Sequence, residues 1–475
     1  CRRTCAGRRQ LEVMQYISTR GSAPKIGFQV VLLAGLARDG GLYVPEQWPK
    51  LPSGAQTATK SYATRAAEVM SPFIGQEIDA QTFTAICVEA YSTFRDPEVA
   101  PLVEIGEGEY LLELFHGPTL AFKDVALQLV GRLFDHVLKQ RGERVMIVGA
   151  TSGDTGGAAF DGVANCGNVD IVMLYPNNRV SDVQRRQMTT LTSPNVHAVA
   201  IDGTFDDCQD LVKAMFNDQK FRDSQKLSAV NSINWVRVMA QVVYYVTALE
   251  KLGRRAVFSV PTGNFGNVLA GWIARQMGAP IEGFVVASNT NDILTRFFES
   301  KQMRVNEVVP TLSPSMDIQV SSNFERLIFE INDRDGAATA KQLTDLRATK
   351  KLVVSERGYK KWIEGVFVGR RCDDEQTLAT MRKVFDESGM LIDPHTAVGL
   401  SAARQSAGVD FSKDVPMITL ATAHPAKFPD AVRKATGQTP KLPDHLADLM
   451  SRAERSVSLP NDLKAVQSFV AKCRR

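Results

Sequence analysis

The stretch VMIVGATSGDTGGAAFDGVA (145–164) decides the fold. A short uncharged run, VMIVGA, breaks into a turn of glycine, serine, threonine and aspartate, and an alanine-rich segment with helical spacing follows. A run that is apolar at every position, not at alternate ones, is buried on both faces, which is the habit of a strand inside a parallel sheet covered by helices. The same rhythm recurs in YLLELF (110–115), DIVMLYP (170–176), VHAVAI (196–201), AVFSVP (256–261), GFVVAS (283–288) and VPMITLA (415–421). Strands alternating with helices predict an α/β protein built from βαβ units. In that class, ligands bind in the loops at the carboxyl ends of the strands.

Outward from this region the pattern changes. Residues 14–105 are dominated by helical periodicity, as in GFQVVLLAGLA (27–37) and TRAAEVMSPFI (64–74), and are expected to form a mainly helical N-terminal domain. Residues 106–430 are the expected catalytic α/β region, with a smaller subdomain at about 110–230; residues 431–475 are an expected C-terminal helical segment. The tract from about 305 to 400 is polar and charged, with mixed helical patterns. The first thirteen residues, with four arginines, precede Met14 and are read as a tail outside the fold. A chain of 475 residues exceeds one ordinary core, so two or three packed units are expected.

Composition narrows the function. With 44% hydrophobic and 23% charged residues and a net charge of +4, nothing calls for a nucleic-acid partner. Charges or glycines interrupt every apolar run before the roughly 18 residues of a membrane span, so a soluble, cytoplasmic protein is expected. The seven cysteines lack CxxC spacing and the six histidines lack HExxH spacing, so neither a disulfide framework nor a metal site is expected.

Three turns and one lysine carry the chemistry. In the opening stretch, Thr151, Ser152, Gly153, Asp154 and Thr155 bring small hydroxyls and open backbone N–H groups to a helix start, where an anion is favoured. A tight turn capped by Ser, Thr or Asp answers the same pattern. In VPTGNFGNVLAGWIA (260–274), Gly263 and Gly266 let the backbone close around a phosphate while Asn264 and Asn267 offer amide donors; Phe265 sits between them. In ITLATAHPAKF (418–428), Thr422 and His424 stand at a third strand end, His424 weighted towards a structural role. FHGPTLAFKDVALQ (115–128) places Lys123 in an apolar setting, where desolvation favours the neutral amine that condenses with an aldehyde. The ordinary alternative is a lysine whose ammonium reaches water or pairs with Asp124. An amine, a phosphate cradle and a partner for a ring nitrogen are together what pyridoxal phosphate needs.

The strings YISTRG, LARDGGLYVPE, FHGPTLAFKD, GATSGDTGGAA, VSDVQRRQMTT, NSINWVR, VPTGNFGN, LIDPHTAVG and ATAHPAKF, in that order, resemble those of threonine synthases, of the longer-chain branch that includes the fungal enzymes. The resemblance implies a fold-type II pyridoxal-phosphate enzyme, tryptophan synthase β-like, converting O-phospho-L-homoserine and water to L-threonine and phosphate. It implies Lys123 as the lysine that holds the cofactor and as the acid/base group. Gly263, Asn264, Phe265, Gly266 and Asn267 would hold the cofactor phosphate, Thr422 the pyridine nitrogen, and Asp154 would lie near the phenolic oxygen. Thr151, Ser152, Gly153 and Thr155 would take the substrate carboxylate, and Asn231, Ser232 and Arg237 its phosphate. Against this last reading stands Arg237 paired with a carboxylate and Ser232 capping the helix. Gly157 departs from the family, whose members often carry Ser there. The rival activity is a phospholyase releasing 2-oxobutyrate, ammonia and phosphate; a non-catalytic metabolite-binding protein is the rival of another class. The expected assembly is a monomer or weak homodimer.

Overall fold

Strands that are apolar throughout need neighbours on both sides, and the chain supplies them in two parallel sheets. In the computed structural model, which describes residues 14–52 and 60–475, the larger sheet runs in the order Phe367–Arg371, Ile281–Ser288, Ala256–Pro261, Met417–Ala421, Glu109–Glu113, Leu102–Gly106. All its pairs are parallel except the last, an antiparallel hairpin at the edge. The smaller sheet, in the order Val457–Pro460, Val196–Asp202, Val169–Pro176, Val145–Ala150, Leu227–Ser228, is parallel throughout. The tail read from residues 1–13 lies outside the described residues.

Every strand in the interior of the two sheets is one of the apolar runs picked out above, and every edge strand is one that was not. Ala256–Pro261 is buried at each position, whereas Leu102–Gly106 is mostly half-buried and Val457–Pro460 largely exposed. An edge strand has one open side and tolerates polar residues, so it lacks the continuous apolar signature. Two of these edges come from unexpected places. Phe367–Arg371 lies in the polar 305–400 tract, and Val457–Pro460 in the C-terminal segment expected to be helical. The helix Leu463–Cys473 that follows buries Val466 and Val470 with Met146 and Val148 of the smaller sheet. Conversely, Glu109–Glu113 falls inside the expected small subdomain by number yet pairs into the larger sheet.

The N-terminal region is helical as expected, with short added strands. Ser61 and Asp79 cap the helices Tyr62–Ile74 and Ala80–Tyr91 by accepting the N–H groups of Thr64 and Thr82. Buried Arg65 donates to Glu250 at 2.7 Å, tying the first of these to the helix Trp235–Leu252. Tyr16–Ser18 and Tyr43–Pro45 form a separate two-stranded ribbon.

One crossing positions the site. The helices Lys123–Arg141 and Asp154–Val163 meet where both lack side chains: a Cβ on Gly131 would fall 1.9 Å from the carbonyl oxygen of Gly162, and one on Gly162 would fall 2.5 Å from that of Leu127. Both helices carry a charged residue at their first position, so this backbone contact sets how close Lys123 and Asp154 stand. Gly162→Ala should therefore lower the melting temperature, at about 1–3 kcal/mol for an overpacked contact. Gly157→Ala should raise it, by about 0.5–1 kcal/mol, because a Cβ there meets only the Gln187 side chain at ordinary contact distance, its Cβ at 3.4 Å and Oε1 at 3.7 Å. Thermal unfolding of the two variants checks both signs.

Candidate active site

The lysine is placed by a turn that is lashed to another strand end. The N–H of Phe122 donates to the carbonyl of Thr422 at 2.9 Å, and that of His424 to the carbonyl of Leu120 at 3.0 Å. FHGPTLAFKD and ATAHPAKF are thus joined, and Thr422, itself buried, lies beside the start of the Lys123 helix. Asp124 does not serve Lys123. Its carboxylate turns back onto Thr119, accepting the backbone N–H at 2.8 Å and the hydroxyl at 2.6 Å. Burial, only partly opposed by these bonds, pushes the Asp124 carboxyl up to about 7.

Lys123 pairs instead with Asp154 from the opening stretch. The Thr151 hydroxyl accepts the N–H groups of Gly153 at 3.0 Å and Gly156 at 2.9 Å, and Gly153 takes a φ of 136°, which folds the turn so that Asp154 opens the helix. Lys123 Nζ lies 3.1 Å from Asp154 Oδ2, and Ser315 Oγ donates to the same oxygen at 3.2 Å. The other oxygen, Oδ1, takes Gln184 Nε2 at 2.8 Å and the ammonium of Lys427 at 2.8 Å. Burial alone would raise the Asp154 pKa, but Lys123 and Lys427 outweigh it and hold the carboxyl well below its usual range. Burial pulls Lys123 below the usual lysine value; Asp154 opposes this, while Lys427 and Arg237 add to it.

Two further loops present unpartnered donors. In GNFGN, Phe265 adopts φ 61° and the helix Gly266–Met277 begins, so its first-turn N–H groups have no partner within the helix. A Cβ on Gly263 would fall 2.7 Å from the carbonyl oxygen of Ser315, so only glycine lets that segment close over the loop. Asn267 Oδ1 accepts the hydroxyls of Tyr244 and Tyr245, which leaves its buried Nδ2 without a partner. In NSINWVR, Asn234 caps the helix Trp235–Leu252, accepting the N–H of Val236 at 3.0 Å; Ser232 does not. Arg237 is 3% exposed, donates through Nη1 to the carbonyl of Val230 at 3.1 Å, and leaves Nε unpartnered. Burial lowers its pKa to about 10, with no carboxylate to oppose the shift. Asn323 joins the two loops, its backbone N–H donating to Asn264 at 3.1 Å and its side-chain amide to the carbonyl of Ser232 at 3.0 Å. Arg326, wholly buried, secures Asn323 and donates to the carbonyl of Ile233 at 2.8 Å.

Comparison with known proteins agrees along the whole chain. Residues 15–91 match the family described as threonine synthase N terminus, 99–360 the pyridoxal-phosphate dependent enzymes, and 396–470 the family described as threonine synthase, C-terminal. The threonine synthase of Pseudomonas aeruginosa is 54% identical over 466 residues, covering 96% of this chain and 98% of that one. The PLP-bound threonine synthase of Brucella melitensis superposes with a TM-score of 0.94 at 52% identity, over 97% of this chain and 100% of that one. For the yeast threonine synthase the TM-score is 0.92 at 37% identity, over 97% and 99% of the two chains. The chain belongs to the threonine synthase family.

It is accordingly a fold-type II enzyme that uses pyridoxal phosphate. The residues fit that cofactor. They include a buried amine at Lys123, a helix start with open N–H groups at Gly266, and an unpartnered amide on Asn267. Of the residues expected from the threonine synthase resemblance, Lys123 and Asp154 touch, Thr422 adjoins them, and the Gly263–Asn267 loop is bridged to Ser232. Ser152 is exposed and Thr155 half-buried, while the Thr151 hydroxyl is taken by its own turn. Gln184, Ser315, Asn323, Arg326 and Lys427 were missed. Gln184 and Lys427 lie inside quoted motifs, but Ser315, Asn323 and Arg326 lie in the polar tract, where no periodicity marks them.

His424 takes the structural role. Its Nδ1 accepts the N–H of Ala426 at 3.1 Å, and burial, reinforced by nearby His116, lowers its pKa to about 4. The folded state therefore holds the neutral imidazole, and this contribution to stability is complete above about pH 6.5 and lost as pH falls towards 4. His424→Asn keeps a capping acceptor and removes the titration. Denaturant unfolding should show the parent losing on the order of 3 kcal/mol more than this variant over that pH interval.

Proposed function

We propose that the chain converts O-phospho-L-homoserine and water to L-threonine and phosphate. The observation that carries this reading is Arg237, a buried guanidinium with no carboxylate partner among the described residues, 3% exposed and with Nε free, in the first turn of the helix that follows the loop bridged to GNFGN by Asn323. A buried charge without a counter-ion is costly, and a phosphate dianion supplies one with geometry that a guanidinium fork matches.

When bound, pyridoxal phosphate supplies an aldehyde for an amine and a ring that accepts the electron pair left when a carbon loses its proton. The chain's own residues do the rest in this reading. Lys123 would hold the cofactor through its amine and, as a free amine beside the substrate, removes the Cα proton, takes a proton from Cβ and returns one to Cγ after phosphate has left. Arg237, with Asn231 and Ser232, holds the phosphate and stabilises the charge that grows on it as the Cγ–O bond breaks. The turn Thr151–Thr155 receives the substrate carboxylate through its backbone N–H groups and the exposed Ser152 hydroxyl. Gly263, Asn264, Phe265, Gly266 and Asn267 would hold the cofactor phosphate, Thr422 would partner its ring nitrogen, and Asp154 orients Lys123. Water attacks Cβ, one of its protons going to the expelled phosphate, and Lys123 returns a proton to Cα, which completes threonine. No helix among the described residues is long and apolar enough to cross a membrane, and the five described cysteines are all buried and unpaired. Both fit a cytoplasmic location; in this reading the enzyme acts on a small molecule, with neither nucleic acid nor membrane as partner, as a monomer or weak homodimer.

Lys123→Ala should abolish turnover and the yellow colour of the preparation while leaving the circular dichroism of the fold unchanged. Arg237→Ala should raise KM for O-phosphohomoserine by on the order of 30-fold or more, the cost of about 2 kcal/mol for losing a charged partner of the phosphate. Unchanged kinetics would reject the phosphate site. Separate quantification of amino-acid and keto-acid products should give threonine; 2-oxobutyrate with ammonia as the main products would overturn the proposal in favour of the phospholyase.

A further inference from the structure

Lys427 is as buried as any charged residue in the protein. It is 0% exposed, sits in the short turn Pro425–Lys427 and donates to the carbonyl of Thr119 at 2.8 Å while its ammonium lies 2.8 Å from Asp154 Oδ1. The mechanism above gives it nothing to do. Its position makes a division of labour between the two carboxylate oxygens: Oδ1 belongs to Lys427 and Gln184, Oδ2 to Lys123 and Ser315.

We propose that Lys427 is a positioning residue, the permanent counter-ion of Asp154 that keeps this carboxylate charged and in place whenever Lys123 gives up its own charge. A lone buried Lys–Asp pair holds its shared proton tightly, because a neutral amine beside a solitary buried carboxylate leaves that charge uncompensated. A second cation removes this penalty. Asp154 remains paired after Lys123 is neutralised, and the amine is free to serve as nucleophile and base. The groups facing Lys123 are Asp154 from the helix Asp154–Val163, Lys427 from the turn Pro425–Lys427 and Arg237 from the helix Trp235–Leu252. Asp124, on Lys123's own helix, also lies within the field of Lys427. Of these, the ones in contact with Asp154 are Lys123 and Lys427 alone. The Thr119 carbonyl, which also accepts Gln187 Nε2 at 3.1 Å, anchors the ammonium independently of its charge partner.

This inference rests on the reading of Lys123 as the cofactor-holding amine, and the two are separable by experiment. The holoenzyme is titrated with pH while the visible absorbance of the bound cofactor is followed, for the parent, Lys427→Gln, Lys427→Arg and Lys123→Ala. Lys427→Gln keeps a donor for the Thr119 carbonyl and drops the charge. Its titration midpoint should move up by about one pH unit or more, a tenfold change in proton affinity, and Lys427→Arg should restore the parent's midpoint. If Lys427→Gln fails to retain cofactor while Lys427→Arg retains it, the need for the charge is equally supported. An unchanged midpoint in Lys427→Gln, or loss of cofactor from both variants, overturns the proposal. A visible band that survives in Lys123→Ala overturns the underlying reading instead.

Discussion

A carboxylate shared between two buried ammonium groups organises this protein. Asp154 is 5% exposed and Lys427 and Lys123 are 0% and 8% exposed, so none of the three can rely on water for solvation. Each charge taken from water costs several kcal/mol unless paired and hydrogen-bonded. The elements that bring them together are accordingly the most tightly specified in the chain. Lys123 is fixed by a turn bonded to the Thr422 strand end, Asp154 by the Thr151 hydroxyl and the left-handed Gly153, and Lys427 by the Thr119 carbonyl. The glycine contact between Gly131 and Gly162 then sets the distance between the first two.

Anion recognition depends on the same logic with the sign reversed. Arg237 and Arg326 are buried without a carboxylate bound to either guanidinium, and burial lowers both, to about 10 and about 9. Arg326 spends its donors on the carbonyls of Tyr43 and Ile233 and on Asn323, so it acts as a brace beneath the NSINWVR loop. Asn323 carries that brace across to GNFGN. The two loops expected to hold two phosphates are therefore one mechanical unit, which suits a reaction in which one phosphate stays and the other leaves.

How much of this was legible in the sequence follows from where each residue sits. The interior strands could be read because burial on both faces leaves an uninterrupted apolar run, as in AVFSVP; the edges could not, because LVEIG and FVGRR face solvent on one side and look like loops. Lys123 and Asp154 could be named because each opens a helix directly after a Gly-containing turn. That they pair with one another, and that Asp124 does not take part, could not be read, since they lie thirty-one residues apart and only the glycine crossing brings their helices together. Ser315 and Asn323 were invisible for a different reason. Their contribution is made largely through contacts with loops distant in the chain, Asp154 and the Asn264–Ser232 bridge, and no local pattern encodes such contacts.

Two buried primary amines flank one carboxylate, and the account assigns the cofactor to Lys123 and the counter-charge to Lys427. Borohydride reduction of the cofactor-saturated native protein, followed by peptide mapping, distinguishes them directly. A single pyridoxyl group, on Lys123, is expected. A label on Lys427 or elsewhere, or no label at all, would contradict it.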